Sequence, residues 1–312
     1  MKAERILVVG ELNVDLIVGG LAAFPALGQE ILADHLRLAL GGSSAICAAG
    51  LARLRVQVDL LGKVGVDYDG DFVVDELRRL DVGTETIIRD RMVRTGLTIS
   101  LTYPQGRALI TYLGCISLLA PEDIELSLLR RYGHLHVGSY FLQSGLQAGL
   151  PELFRRAHQR GLTVSLDPGY DPDELWGGHD LLALLEQVDL FLPNEEEAWA
   201  IAGVDDTGQA LRVLARRAGQ VVVKCGAAGA ISLDGDRIVP SPAFALDVVD
   251  TTGAGDSFDA GFLYAYVLRC LPLEEALRFA NACGALSTTG FGGTTAQPTL
   301  EEVWTFLKER GT

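Results

Sequence analysis

Short apolar runs alternate with amphipathic stretches along most of this chain. Arg5–Val9, Val58–Gly62, His134–Val137, Thr163–Asp167, Leu190–Leu192 and Val221–Lys224 are apolar at most of their positions. Apolar runs this short mark strands buried on both faces, as in a parallel sheet. Between and after them the spacing predicts helices over Ser43–Leu54, Gly70–Leu80, Pro151–Arg160, Asn194–Ile201, Gly208–Ala218, Asp256–Leu268 and Leu273–Ser287. The alternation predicts an α/β fold of three layers, α/β/α, with a mostly parallel central sheet. No repeat, low-complexity tract or linker interrupts it, so residues 1–312 read as one domain.

One region has a different period. Leu97-Thr-Ile-Ser-Leu-Thr-Tyr103 alternates apolar and polar positions, Pro104–Arg107 supplies a turn, and Ala108–Leu113 runs back. That pattern is a hairpin with one face covered and one open. Val14–Val18 and Glu30–Leu38 can pair with it. Four antiparallel strands, near residues 13–38 and 95–113, would then form a small inserted sheet. It is either an edge extension of the main sheet or a lid over a ligand site.

Composition narrows the partners. A net charge of −15 argues against nucleic acid and against an anionic membrane surface. Lysine occurs only at positions 2, 63, 224 and 308, so Lys224 at the end of an apolar strand stands out. Five cysteines are widely spaced with no C-x-x-C pair, which suggests buried thiols in a reducing compartment. The first apolar run is too short for a signal sequence, and no run approaches a membrane span. The expected location is the cytoplasm.

The most informative string is Asp250-Thr-Thr-Gly-Ala-Gly-Asp256-Ser-Phe-Asp-Ala-Gly-Phe262. Gly253, Ala254 and Gly255 sit where a helix begins. Unpaired N–H groups and the helix dipole there suit an anion, most naturally a phosphate. Asp256 would repel that anion unless it takes a proton from something attacking it. The plainer reading makes Asp256 an N-cap, which leaves the three small residues unexplained. Other segments keep two readings each. Asn13 and Asp15 brace a turn, or bind a ligand past the first strand. Gly41-Gly42 opens a helix, or lets backbone approach a ligand. The acids after Asn194 suit a first helical turn in any case. Asn281 alone is a buried polar residue satisfied by backbone. No Gly-Lys-Ser/Thr run exists, so a Walker-type phosphate loop is excluded.

Taken together, Asn13/Asp15, Gly41-Gly42, Lys63–Gly70, Asn194/Glu197, Gly226/Gly229 and the Asp256 string resemble, in order and spacing, the ribokinase-like sugar kinases of the PfkB family. The resemblance covers essentially the whole chain. It implies a ribokinase-like fold, a lid, and ATP-dependent phosphorylation of a hydroxyl of a small sugar. By that resemblance Asp256 is the general base, and the amides of Gly253, Ala254, Gly255 and Asp256 hold the transferring phosphoryl group. Asn13, Asp15, Gly41 and Gly42 bind the acceptor, although Ile46 stands near a position where the family commonly has Asn. Asn194, Lys224, Gly226, Gly229 and Asn281 belong to the nucleotide site. Glu197 serves Mg²⁺, while Asp250 and the backbone oxygen of Thr252 serve a K⁺ beside the Ser287–Thr295 loop. A homodimer through the lid is a further expectation. The alternatives are a nucleoside kinase, to be decided by lid contacts around Leu101, Leu109 and Thr111, and a nucleotide-binding regulator without turnover.

Overall fold

The computed structural model describes residues 5–103 and 106–311, with the backbone alone for His179. In chain order the strands are β1 (Arg5–Val9), β2 (Asn13–Gly19), β3 (His35–Gly41), β4 (Gln57–Leu61), β5 (Lys63–Gly65), β6 (Ile88–Asp90) and β7 (Gly96–Tyr103). They continue with β8 (Gly106–Tyr112), β9 (His134–Val137), β10 (Thr163–Leu166), β11 (Leu190–Phe191), β12 (Gln220–Lys224), β13 (Ala230–Asp234) and β14 (Arg237–Ser241). Eight form one sheet in the order β14-β13-β12-β11-β10-β9-β1-β4. The six from β12 to β4 are parallel, and they are the six strands that the apolar runs predict. The antiparallel pair β13–β14 extends one edge and has no counterpart in those expectations.

Both faces of this sheet are covered, and strand alternation shows how. Ile6 and Val8 of β1 join a core cluster with the helices Ser43–Arg53, Ala254–Phe262 and Leu273–Ser287. Leu7 and Val9 point the other way, into a cluster with the helices Leu150–Gln159, Glu195–Ala202 and Thr207–Leu214. Burial on both sides is why these strands are apolar at successive residues rather than at every second one. Among the described residues no helix is long and apolar enough to cross a membrane.

The small sheet has the order β3-β2-β7-β8. The expectation that all its strands are antiparallel is wrong at one joint. The outer pairs β2–β3 and β7–β8 are antiparallel, but β2 and β7 are parallel. The two pairs adjoin through their first strands, and both first strands run the same way. The third strand also begins later than Glu30, at His35, where pairing with Gly19 starts. Residues 104 and 105 of the expected Pro104–Arg107 turn lie outside the described residues.

Register gives this sheet two unlike faces. Asp15, Thr98 and Thr111 lie in one row, and Ile17, Ser100 and Leu109 in the next, on one face. Leu16, Leu38, Ile99 and Ile110, then Val18, Leu36 and Leu101, occupy the other.

Candidate active site

The parallel strands deliver their following residues to one edge, where open α/β sheets bind ligands. Glu11 and Asn13 follow β1, Ser139 follows β9, Asp167 follows β10, Asn194 follows β11, and Lys224 ends β12. All six line a cavity of about 850 Å³. Its other wall is the inner face of the small sheet, through Asp15, Thr98, Ser100, Arg107, Leu109 and Thr111. Leu101 lies on the opposite face, so its expected part in acceptor contacts is corrected.

The helix carrying Asp256 begins at Ala254, not at Asp256. Gly253 is its N-cap, with φ of 72°, and no side chain caps it. A Cβ on Gly253 would lie 2.8 Å from both Gly293 Cα and Ile46 Cγ2, so only glycine allows this close approach. Asp256 therefore stands in the first turn with its carboxylate free of capping. It accepts a 2.5 Å hydrogen bond from the hydroxyl of Ser43, at the start of the facing helix. Burial pushes the Asp256 carboxyl up to about 7; the Ser43 bond and the Lys224 charge hold it down, while Asp167 and Glu11 add to the rise. From Leu263 the expected single helix changes to a π-helix, Leu263–Leu268.

Asp15 is buried, and its carboxyl is also pushed up to about 7, first by burial and then by Glu11, with Arg107 opposing. Asn13 Nδ2 donates to Asp15 Oδ1 at 3.2 Å and to Thr98 Oγ1 at 2.9 Å. Gly41 makes this possible, since a Cβ there would lie 2.1 Å from Asp15 Oδ1. Gly42, with φ of 91°, starts the Ser43 helix. Glu11, which carries no role in the sequence reading, is buried and organises this corner. Its Oε1 accepts from the Ser43 backbone N–H at 2.8 Å and from Ser139 Oγ at 2.7 Å. A Glu directly after an apolar strand was the available signal.

Beneath the Asp256 helix, Lys224 Nζ lies 2.6 Å from Asp167 Oδ2 and 3.0 Å from Asp259 Oδ2. Burial lowers the lysine pKa, but the two carboxylates more than offset it and hold the amine charged. Asp167, although buried, is kept ionised mainly by Lys224, while burial pushes Asp259 up. Neither aspartate could be assigned from sequence, because each needs the lysine of another element to explain it.

Asn194 and Glu197 form a reciprocal cap. The Glu197 N–H donates to Asn194 Oδ1, and the Asn194 N–H donates to Glu197 Oε2. Burial and the nearby Asp167 charge push Glu197 up to about 8. Asp250 Oδ1 accepts from the Thr252 N–H and hydroxyl, and its Oδ2 accepts from the Gly292 N–H, tying this turn to the Gly-rich loop. Asn281 Nδ2 donates to the Ser241 carbonyl and hydroxyl, holding the segment that follows β14. Gly226, Gly229 and Asn281 line the same cavity. Among the described residues no three His, Cys, Asp or Glu side chains are grouped to hold a metal on their own.

The profile of the pfkB family carbohydrate kinases matches residues 3–300. An ATP-dependent ribose-1-phosphate kinase of Halopiger xanaduensis is 31% identical over 98% of this chain and 99% of its own length. The ribokinase of Arabidopsis thaliana, solved with ribose and ATP, superposes with a TM-score of 0.82 at 25% identity, covering 99% of both chains. A double-mutant fructokinase of Vibrio cholerae, solved with fructose, ADP and potassium, superposes with a TM-score of 0.82 at 26% identity, covering 98% of this chain and 99% of that one. The fold is that of the ribokinases, and the chain belongs to the pfkB family of carbohydrate kinases, phosphotransferases with a hydroxyl acceptor.

Proposed function

We propose that this kinase moves the γ-phosphoryl group of ATP to a hydroxyl of a small sugar, with Asp256 as general base. The observation that carries the reading is the Asp256 carboxylate, uncapped in the first turn of a glycine-started helix and open to the cavity. A carboxyl pushed up to about 7 is poised to accept a proton near neutral pH. The amides of Gly253, Ala254, Gly255 and Asp256 would face the charge that develops on the phosphoryl oxygens. Asp15, Asn13 and the Gly41-Gly42 corner would hold the acceptor, and closure of the small sheet would keep water from the phosphoryl group. Gly226, Gly229 and Asn281 would frame the nucleotide, with Asn194 orienting its phosphates and Lys224 holding the floor beneath them.

The donor set suits Mg²⁺. Asp167, Glu197 and Asp256 line one cavity, and a divalent cation there would favour the ionised forms of Glu197 and Asp256 that burial disfavours. Glu197 would hold the ion through water, as hard cations are held beside substrate phosphates, and the ion would screen those phosphates. Asp250 and the Gly290–Gly293 loop would frame a K⁺, in keeping with the potassium of the fructokinase structure. Equal rates in K⁺ and Na⁺ would dispose of that ion.

Among the residues of the small sheet that line the cavity, Thr98, Ser100, Arg107 and Thr111 are polar and Leu109 is aliphatic. No ring among them could stack on a base, which favours a sugar over a nucleoside. Five thiols free of disulfides suit the cytoplasm, where ATP is abundant. The apolar outer face of the small sheet suits a second copy of the chain. The deciding experiment is a turnover screen of sugars and nucleosides, comparing the parent with Asp256→Asn. The variant should lose about 10²–10⁴ in kcat and still bind ATP by calorimetry. Near-parental turnover would overturn the reading.

A further inference from the structure

We infer that Arg107 is a catalytic residue, a cation on the small sheet that faces the γ-phosphoryl group during transfer. The inference rests on the phosphoryl-transfer reading of the Gly253–Asp256 helix start. Among the described residues, five carboxylates line the cavity, those of Glu11, Asp15, Asp167, Glu197 and Asp256. Among the same residues two cationic side chains line it, Lys224 and Arg107. Lys224 is held between Asp167 and Asp259. Among the described residues Arg107 makes no ion pair at rest. Its Nη1 donates instead to a neutral acceptor, Thr252 Oγ1, at 2.6 Å.

Position strengthens the point. Arg107 is on β8, opposite Thr102, in the same alternating set as Leu109 and Thr111, so it belongs to the cavity face. Thr252 directly precedes Gly253, the N-cap of the Asp256 helix. The guanidinium thus rests one residue from the amides that would bind the phosphoryl group. It also acts on the acceptor side, where its charge opposes the rise in the Asp15 carboxyl. Arg37, on the other edge strand of the same sheet, differs: it donates to the Phe291 carbonyl and does not line the cavity. A guanidinium carries five donors in a rigid fork, and Arg107 uses one of them here.

In the transfer step the acceptor oxygen bonds to the γ-phosphorus and its proton passes to Asp256. The bond between that phosphorus and the β–γ bridging oxygen breaks, and ADP leaves with the oxygen and its electron pair. Negative charge sits meanwhile on the three equatorial phosphoryl oxygens. Backbone amides meet it from the helix side. Arg107, by exchanging the Thr252 hydroxyl for a phosphoryl oxygen, meets it from the side of the small sheet. Because this contact strengthens in the transition state, its loss falls on kcat rather than on binding.

The test compares Arg107→Ala and Arg107→Lys with the parent and with Asp256→Asn, using ATP, Mg²⁺ and the sugar found by the turnover screen. Removing one such donor lowers kcat by roughly 10²–10³. The acceptor KM and the ATP Kd should stay within about threefold of the parent. The Lys variant should fall between, since it keeps the charge and loses the fork. Added guanidinium ion should restore part of the Ala variant's kcat. The exposed Arg107 side chain predicts an unchanged Tm for both variants. Loss confined to the acceptor KM would overturn the proposal and make Arg107 a reader of the acceptor. Parental kcat with a lowered Tm would overturn it in favour of a structural latch. If Asp256→Asn is inactive while Arg107→Ala is parental, only the role of Arg107 falls. If Asp256→Asn itself turns over normally, the reading of the whole site falls.

Discussion

Asp15 is a buried carboxylate and Asp256 a half-buried one, neither with a cation in contact, an arrangement that weakens the folded state. Each would be better solvated in the unfolded chain. Asp256→Asn should therefore raise the Tm of the ligand-free protein while abolishing most turnover, the exchange expected where function needs a strained site. A lower Tm would mean that the Ser43 bond outweighs the burial of charge. Gly41 gives a second test at this scale. A methyl group at Gly41 would overlap Asp15 Oδ1, at 2.1 Å, and push the carboxylate off its position. Gly41→Ala should raise the acceptor KM by about tenfold, for an interaction typically worth 1–3 kcal/mol, with ATP affinity unmoved. Equal losses for sugar and ATP would instead show that Asp15 supports the fold. Glu11 and Asp259 mark the limit of reading at this scale. An acid in sequence carries no sign of which amine or amide it will meet, and their partners lie on other elements, at Ser43, Ser139 and Lys224.

At the scale of elements, the small sheet is the instructive case. Its two-residue period is legible in the sequence, and the register of the strands sets Thr98, Ser100, Leu109 and Thr111 on one face. Leu101 departs from the expectation because it belongs to the opposite set of β7, away from Leu109 and Thr111. The parallel joint between β2 and β7 was not legible, since alternation gives the same pattern in either direction. The outer face has a consequence of its own: Leu36 is 71% exposed, Ile110 54% and Tyr112 55%. Apolar rows of this kind on a sheet need a cover. The parent should sediment as a dimer, and Leu36→Asp combined with Ile110→Asp should give a monomer. A parent that stays monomeric at high concentration would refute this.

At the scale of the whole molecule, the raised carboxyls act together on stability. Asp15 and Asp256 are pushed up to about 7 and Glu197 to about 8, in each case chiefly by burial. Ordinary carboxyls titrate near 4, so the folded protein retains protons that the unfolded chain releases. The stability linked to these groups is fully present below about pH 4 and is lost as pH rises through 7 to 8. Asp67 and Glu302 run the other way. Hydrogen bonds outweigh burial and hold both low, so their contribution is present above about pH 4 and lost in stronger acid. The Tm of the ligand-free protein should therefore rise between pH 8 and pH 6. A Tm that falls over that interval would contradict the burial of these acids. Activity should have the opposite sign, because Asp256 as the proposed general base would accept a proton only as a carboxylate. The value of kcat/KM should decline as pH falls through about 7.

The sequence by itself determined the six parallel strands, the helices between them, the two-faced small sheet and the glycine-started helix bearing Asp256. Each of these is written in local spacing or in backbone requirements that neighbouring residues satisfy. The tertiary structure decided which charged groups meet: Lys224 with Asp167 and Asp259, Ser43 with Asp256, Asp250 with Gly292, and Arg107 with Thr252. These partners lie between 35 and 213 residues apart. No local rule reaches that far. Packing of the helices on the sheet, and of the small sheet over its edge, brings them within a few ångströms, and burial then sets which of them hold protons.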